Sequence, residues 1–234
     1  MTVGFQVFGD SGVLQVDQDY ANLALASKGM LTPSNPSKAG GNVMTVSTNA
    51  ANAIIFLRAS GLVTLGSISD NNGTRTFTVV LATGVASCSY WIFGKPPTPS
   101  SNFGLQVFDA SGNCTFDSNL KYMRVIGAID TSGTPFTGSV GASFGLPSVG
   151  QGGYAVAFAD PGYIIEHLYP SGGAGPVLHR QYESWGHSVI GSSLTVNFFI
   201  TSNNISFPPN YPPQDARYSW RPPQSAIILD VTGI

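Results

Sequence analysis

Gly141-Ala142-Ser143-Phe144-Gly145 has the G-x-S-x-G spacing that presents a serine nucleophile on a sharp strand-to-helix turn. The chemistry would be acyl transfer, and it requires a helix directly after the serine. Here the motif lies in a run rich in Gly, Ser and Thr with no helical pattern behind it, so Ser143 reads as a loop residue. The three histidines, His167, His179 and His187, all fall in the second half, with Glu166 and Glu183 near them in sequence. None has the i, i+4 spacing that puts two metal ligands on one helix face, and no cysteine pair accompanies them. They read as surface or hydrogen-bonded histidines. Asp160, Glu166, Glu183 and Asp215 are the carboxylates that could pair for glycosidic cleavage, but such a pair meets only in space. Gly150-Gln151-Gly152-Gly153 precedes a strand pattern, not a helix, and so makes no phosphate cradle. The expectation is a protein without catalytic residues, metal or cofactor.

Binding is the chemistry left. Tyr182, Trp185, Tyr211, Tyr218 and Trp220 are the aromatic residues that could form an exposed patch for a glycan. Cys88 and Cys114 could form one bridge, although two buried free thiols are the favoured reading. Charge is scarce. Only 9% of the 234 residues are Asp, Glu, Lys or Arg, with a net charge of −2. That excludes a polycationic surface for nucleic acid. No apolar run approaches the length of a membrane-spanning helix, and residues 1–6 lack a basic region followed by an apolar one, so neither membrane insertion nor a secretory signal peptide is expected. A surface of neutral polar residues has little repulsion to hold copies apart, which suits a protein packed against others.

The elements that would position any site are strands. Gly4-Phe-Gln-Val-Phe-Gly-Asp-Ser-Gly12 recurs as Gly104-Leu-Gln-Val-Phe-Asp-Ala-Ser-Gly112, and the match runs on to Asp17 and Asp117. Seven of the fourteen positions from 4 to 17 are identical at one offset of 100 residues: Gly4, Gln6, Val7, Phe8, Ser11, Gly12 and Asp17. This is one unit present twice, with a period too long for a solenoid. The unit reads as a β-hairpin, with Asp-Ser-Gly and Ala-Ser-Gly as turns and 13–17 and 113–117 as return strands. Position 14 is Leu in one copy and position 114 Cys in the other, so Cys114 reads as a small buried residue. Further strands are expected over 52–59, 75–82, 87–93, 154–158, 163–169, 193–200 and 226–231, and Asn72-Gly73 reads as a hairpin turn. A helix is expected only over 18–28. Residues 131–153 read as a long loop, and the six prolines of 206–223 as an extended arm carrying Tyr211, Tyr218 and Trp220. Gly94-Lys-Pro-Pro-Thr-Pro-Ser-Ser-Asn102 reads as a stiff linker. The expected architecture is all-β: two tandem β-sandwich or barrel-like domains, 1–98 and 99–234, joined by that Pro-rich linker.

Gly104-Leu-Gln-Val-Phe-Asp-Ala-Ser-Gly-Asn-Cys-Thr-Phe-Asp117 followed by Lys121-Tyr-Met-Arg-Val125 resembles a segment of small tail proteins of tailed bacteriophages. Tyr90-Trp-Ile-Phe-Gly-Lys-Pro-Pro97 resembles the segment that precedes it there. The resemblance is good over 90–125, weaker over 4–29, and does not extend over 130–234. It implies a non-enzymatic virion protein of the tail tip, baseplate or fibre, made in the host cytoplasm. The partners it implies are other tail proteins and further copies of the chain, with a trimer favoured. A host surface glycan or pilus is the remaining partner. The alternative is a carbohydrate-binding adhesin built on the aromatic residues named above, and a tail-borne polysaccharide hydrolase using Glu166 or Glu183 is the third reading.

Overall fold

Thr74-Arg-Thr-Phe-Thr-Val-Val-Leu81 shows how this chain builds structure. Its β-branched residues fit a pleated surface, and Phe77 and Val79 turn to one side and are fully buried. The computed structural model describes residues 6–8, 14–17, 21–97, 103–131, 141–148, 153–158, 165–170, 178–205 and 225–234. All helix or strand among them is strand. The first half holds β1 (Gln6–Phe8), β2 (Leu14–Asp17), β3 (Ala24–Leu31), β4 (Asn42–Thr48), β5 (Ile54–Arg58), β6 (Val63–Asn71), β7 (Thr74–Leu81) and β8 (Cys88–Gly94). The second holds β9 (Gln106–Phe108), β10 (Cys114–Asp117), β11 (Val125–Asp130), β12 (Ala142–Gly145), β13 (Tyr154–Phe158), β14 (Ile165–Pro170), β15 (Leu178–Ile190), β16 (Ser193–Ile205) and β17 (Ser225–Asp230). Among the described residues no helix is long and apolar enough to cross a membrane.

Two expectations are corrected. The helix expected over 18–28 is replaced by β3, which pairs with β8 from Ala24↔Gly94 to Leu31↔Cys88. Weak local helical preference yields to a partner strand along its whole length. The loop expected over 131–153 contains a strand, β12, registered on β16 from Ala142↔Val196 to Gly145↔Ser193. The Asn72-Gly73 turn is as expected, with φ of 48° and 79° between β6 and β7.

Two large antiparallel sheets face each other. One has six strands in the order β11-β17-β13-β5-β8-β3, and the other has seven, β12-β16-β15-β6-β7-β4 with β14 added on β15. Each sheet therefore draws strands from both halves, and the boundary at 98/99 does not separate two sets of sheets. The physical reason is edge closure. A lone half would end in β5 and β6 as open edges, and these instead pair with β13 (Leu57↔Val156) and β15 (Val63↔His187). Lys95 N–H donates to the Ala51 carbonyl at 2.8 Å, and Pro96 is buried, so the start of the linker segment lies against the first half. Residues 98–102 lie outside the described residues.

Read outward from those central pairs, the strand order is the same on both sides. The row Leu25–Phe93–Ile54 has its counterpart in Val125–Leu229–Ala155. A continuous row across the second sheet, Asn42–Leu81–Val63–His187–Val196–Ala142, reads equivalently from either end. Both edge strands of the six-stranded sheet carry a bulge 100 residues apart, between Leu25 and Ser27 and between Val125 and Gly127. The repeat visible in sequence only at the hairpin is thus a pseudo-two-fold repeat of the whole half, with β14 as an addition to the second copy.

The core follows the layers. Ile55 and Leu57 meet Val63, Phe77, Val79 and Leu81 between the sheets of the first half. Val156 and Ile228 meet Trp185, Leu194 and Val196 in the second. A third cluster covers the outer face of the six-stranded sheet and joins both halves: Phe56, Phe93, Ala155 and Leu229, with Leu23, Leu25 and Met123 packed on them. Phe56 and Phe93 meet edge-to-face at 6.0 Å and 85°.

A protease site placed within 98–102 of the full chain tests the shared sheets. The cut halves are expected to co-migrate as one folded particle by size exclusion and native mass spectrometry. Separation into two folded monomers would show that the pairs at the pseudo-dyad do not hold the halves together.

Candidate functional site

The two hairpins form the feature of this molecule that recurs most closely. In β1–β2 the register is Gln6↔Asp17, Val7↔Val16 and Phe8↔Leu14; in β9–β10 it is Gln106↔Asp117, Val107↔Phe116 and Phe108↔Cys114. The bulge falls at the same place in both. The identity of Gln and Asp at the strand ends has a visible cause in the second copy, where Gln106 Nε2 donates to Asp117 Oδ2 at 3.1 Å. Asp117 Oδ1 also accepts the backbone N–H of Asn119 at 2.8 Å and its Nδ2 at 2.9 Å. These donors, the Asn119 N–H first, hold the Asp117 carboxyl below the usual carboxylate range. The Tyr122 hydroxyl accepts from the Asp117 N–H and donates to the Asp117 carbonyl, while its ring stacks on Phe116 at 4.9 Å and 10°. At the turn Asp109 Oδ1 accepts the N–H groups of Ser111 and Asn113, and Oδ2 accepts Asn113 Nδ2. The hairpin is thus fixed by its own polar side chains at both ends, which is how a short two-stranded element acquires a defined shape.

Both hairpins sit beside the pseudo-dyad. The segments that follow them pair across it, Leu25 N–H to Lys121 O at 2.7 Å and Met123 N–H to Leu23 O at 2.9 Å, and Ala24 and Tyr122 form a bridge. β2 approaches β10. The hairpins are therefore a third layer, anchored where Leu23 and Met123 enter the outer core cluster. This layer displays apolar side chains to solvent: Phe103 at 82% exposure, Leu105 at 49%, Phe108 at 45% and Val7 at 36%. Large exposed apolar groups on a rigid frame suit burial against another protein. Sequence reasoning missed these residues, because alternation in a strand does not say which face another layer covers.

The residues singled out for binding are not gathered by the structure. Trp185 is 2% exposed and belongs to the core between the sheets, so its place in an exposed patch is corrected. It lies on β15, which is flanked by β16 and β6, and its face is covered by the opposite sheet. Tyr182 stands on β15 across from Glu166 and Ser202. Tyr211, Tyr218 and Trp220 lie outside the described residues, as do Asp160 and Asp215. Ser143 stands on edge strand β12 with its Oγ 3.2 Å from Thr195 Oγ1, and no turn into a helix follows it. His167 faces Gln181 on β14–β15, and His179 faces Tyr169 and Ile205. His187 is eight residues further along β15, roughly 26 Å at strand rise. Among the described residues no three His, Cys, Asp or Glu side chains come together as a metal site. Cys88 and Cys114 are both free and buried. Burial pushes the Cys88 thiol up to about 12 and, with the Asp117 charge as the lesser cause, raises Cys114, so neither forms a ready thiolate. A scan against protein-family models and searches of curated proteins and of solved structures found no match to this chain.

His187 is wholly buried, and loss of hydration pulls its imidazole from 6.5 down to about 4. The folded state therefore binds this proton more weakly than the unfolded chain. Its contribution is intact above about pH 6.5 and is lost as pH falls toward 4, by about 3 kcal/mol in all. Urea unfolding at pH 7 and pH 4.5 is expected to show this loss, and His187→Phe to remove most of the slope in that window.

For the hairpin, Asp117→Ala is expected to leave the far-ultraviolet spectrum unchanged while abolishing hydrogen-exchange protection at Ser118 and Asn119, whose N–H groups donate to the Leu105 carbonyl and to Asp117. Retained protection at these amides would show that the Gln106–Asp117–Asn119 network does not hold the hairpin.

Proposed function

We propose that the protein is a non-enzymatic structural component of a bacteriophage tail, at its tip, baseplate or fibre, and that it works by assembly through the paired hairpins. One observation carries the reading. The segment that resembles small tail proteins, 104–125, folds as a self-fastened hairpin beside its counterpart, with Phe103, Leu105 and Phe108 turned to solvent. A hairpin that recurs with the same register and bulge in two copies and projects apolar side chains is better suited to grip a partner than to fill a core. In this reading the partners are other tail proteins and further copies of the chain, three by the resemblance. The two halves are tandem β-units of one ancestral domain, and contact with a host surface glycan or pilus follows from a distal position. The low charge supports the same role, since little repulsion opposes close packing of copies. The reading places the mature protein in the virion tail, after synthesis in the host cytoplasm.

Immunogold electron microscopy on particles from the source lysate, with antibody to this chain, tests the proposal. Gold is expected at the distal end of the tail. Gold on the tube or head would overturn the distal placement, and absence from particles under epitope-exposing conditions, with the chain free or on cells, would overturn the virion assignment.

A further inference from the structure

The pseudo-two-fold is broken at one point beside its own axis. Since Ile54 and Ala155 are equivalent, Leu57 corresponds to Phe158 and Val156 to Ile55. The pair Leu57↔Val156 then calls for a matching pair Ile55↔Phe158, and among the described residues β5 and β13 register only at the former. On the paired side the gap beyond is filled: a Cβ at Gly153 would collide with the Arg58 guanidinium, so Arg58 lies directly over this glycine. On the other side the strands leave a cleft of about 260 Å³. Ile54, Ile55, Ile68, Phe77, Ala157 and Phe158 wall it.

Two polar groups qualify this apolar site. Arg75 lines it, but its guanidinium is already held by the Asp70 carboxylate and by the Ala53 carbonyl, each at 2.8 Å. No positive charge is left over for a carboxylate or phosphate. His187 also lines it, and its Nε2 lies 3.4 Å from the Leu57 carbonyl. In a neutral ring that contact places the proton on Nε2 and leaves Nδ1 as an acceptor. Nδ1 is buried and makes no hydrogen bond among the described residues. An acceptor left so is costly, and a donor that reached it would be held firmly.

We propose that this cleft binds a small neutral alcohol, aryl or alkyl, whose apolar body fills the gap between β5 and β13 and whose hydroxyl donates to His187 Nδ1. The volume lies near the lower end for ligand pockets, which limits the body to about a ring with a short substituent. This inference does not rest on the assembly role.

Titration of isotope-labelled full chain with p-cresol and with p-xylene tests it, since the two differ only by hydroxyl against methyl. Saturable binding of p-cresol is expected, with shifts of the His187 Nδ1 resonance and of the Ile54, Ile55 and Ile68 methyls. p-Xylene is expected to bind about tenfold more weakly and to leave Nδ1 unmoved, as one hydrogen bond of ordinary net strength implies. Ile68→Trp, at a solvent-exposed position that pairs with Phe77 on the cleft wall, is expected to abolish the p-cresol response while unfolding stays cooperative. Absence of binding, equal affinity for both compounds, or a response that survives Ile68→Trp in a folded protein would each overturn the proposal.

Discussion

Pairing of β5 with β13 and of β6 with β15 is the constraint on which the other features rest. Each half brings three strands to each sheet, the second adding β14 to one of them, and each would present an open edge at its inner strand. Such edges carry a row of unmet N–H and C=O groups and recruit any strand that fits. Here the strand that fits is the equivalent one from the other copy, so both sheets become continuous and a single outer core cluster can form across the join. The crossing of residues 23 and 123 adds a third pairing on the same axis. A chain with only 9% charged residues has few ionic means of fixing one half against the other, and backbone pairing with apolar burial does that work.

The two copies have diverged unevenly, and the physics of each region accounts for it. In the hairpin the side chains are the structure. Gln106 and Asp117, which bond each other in the second copy, recur as Gln6 and Asp17, whereas Asp109, Asn119 and Tyr122, which fasten the second hairpin further, stand opposite Gly9, Asp19 and Asn22. In the large sheets the requirement is looser: alternate positions must be apolar and about the right size. Phe93 and Leu229 hold equivalent places in the outer cluster, as do Val63 and His187 in the central row, with no sequence identity between them. His187 is the costly exception, a polar ring at a position where its counterpart is an apolar valine.

That exception sits beside the place where the two-fold fails. The pair Leu57↔Val156 has no mirror image, Arg58 covers one side of the gap, and the opposite side stays open between Ile55 and Phe158. A duplicated frame permits this kind of specialisation, since the remaining symmetric pairs keep the sheets joined while one corner changes its lining. The two regions also differ in kind: the hairpin layer exposes Phe103, Leu105 and Phe108, while the cleft is lined between the strands by Ile55, Phe77 and Phe158.

From the sequence alone came the β class, the hairpin and its duplication, the Asn72-Gly73 turn and the strands over 154–158 and 226–231, since each rests on local chemistry: turn residues, side-chain alternation and short-range hydrogen bonding. The neutrality of the surface was equally legible. Only the tertiary structure decided that 24–31 is a strand, because β8 lies along it, and that β12 exists, because β16 pairs with it. It also moved Trp185 from surface to core, turned Phe103 and Phe108 outward, and let both halves share both sheets. These facts depend on which strand meets which between positions far apart in sequence, and on which face a further layer covers. Local periodicity encodes that a strand has two faces, and only packing determines which of them is buried.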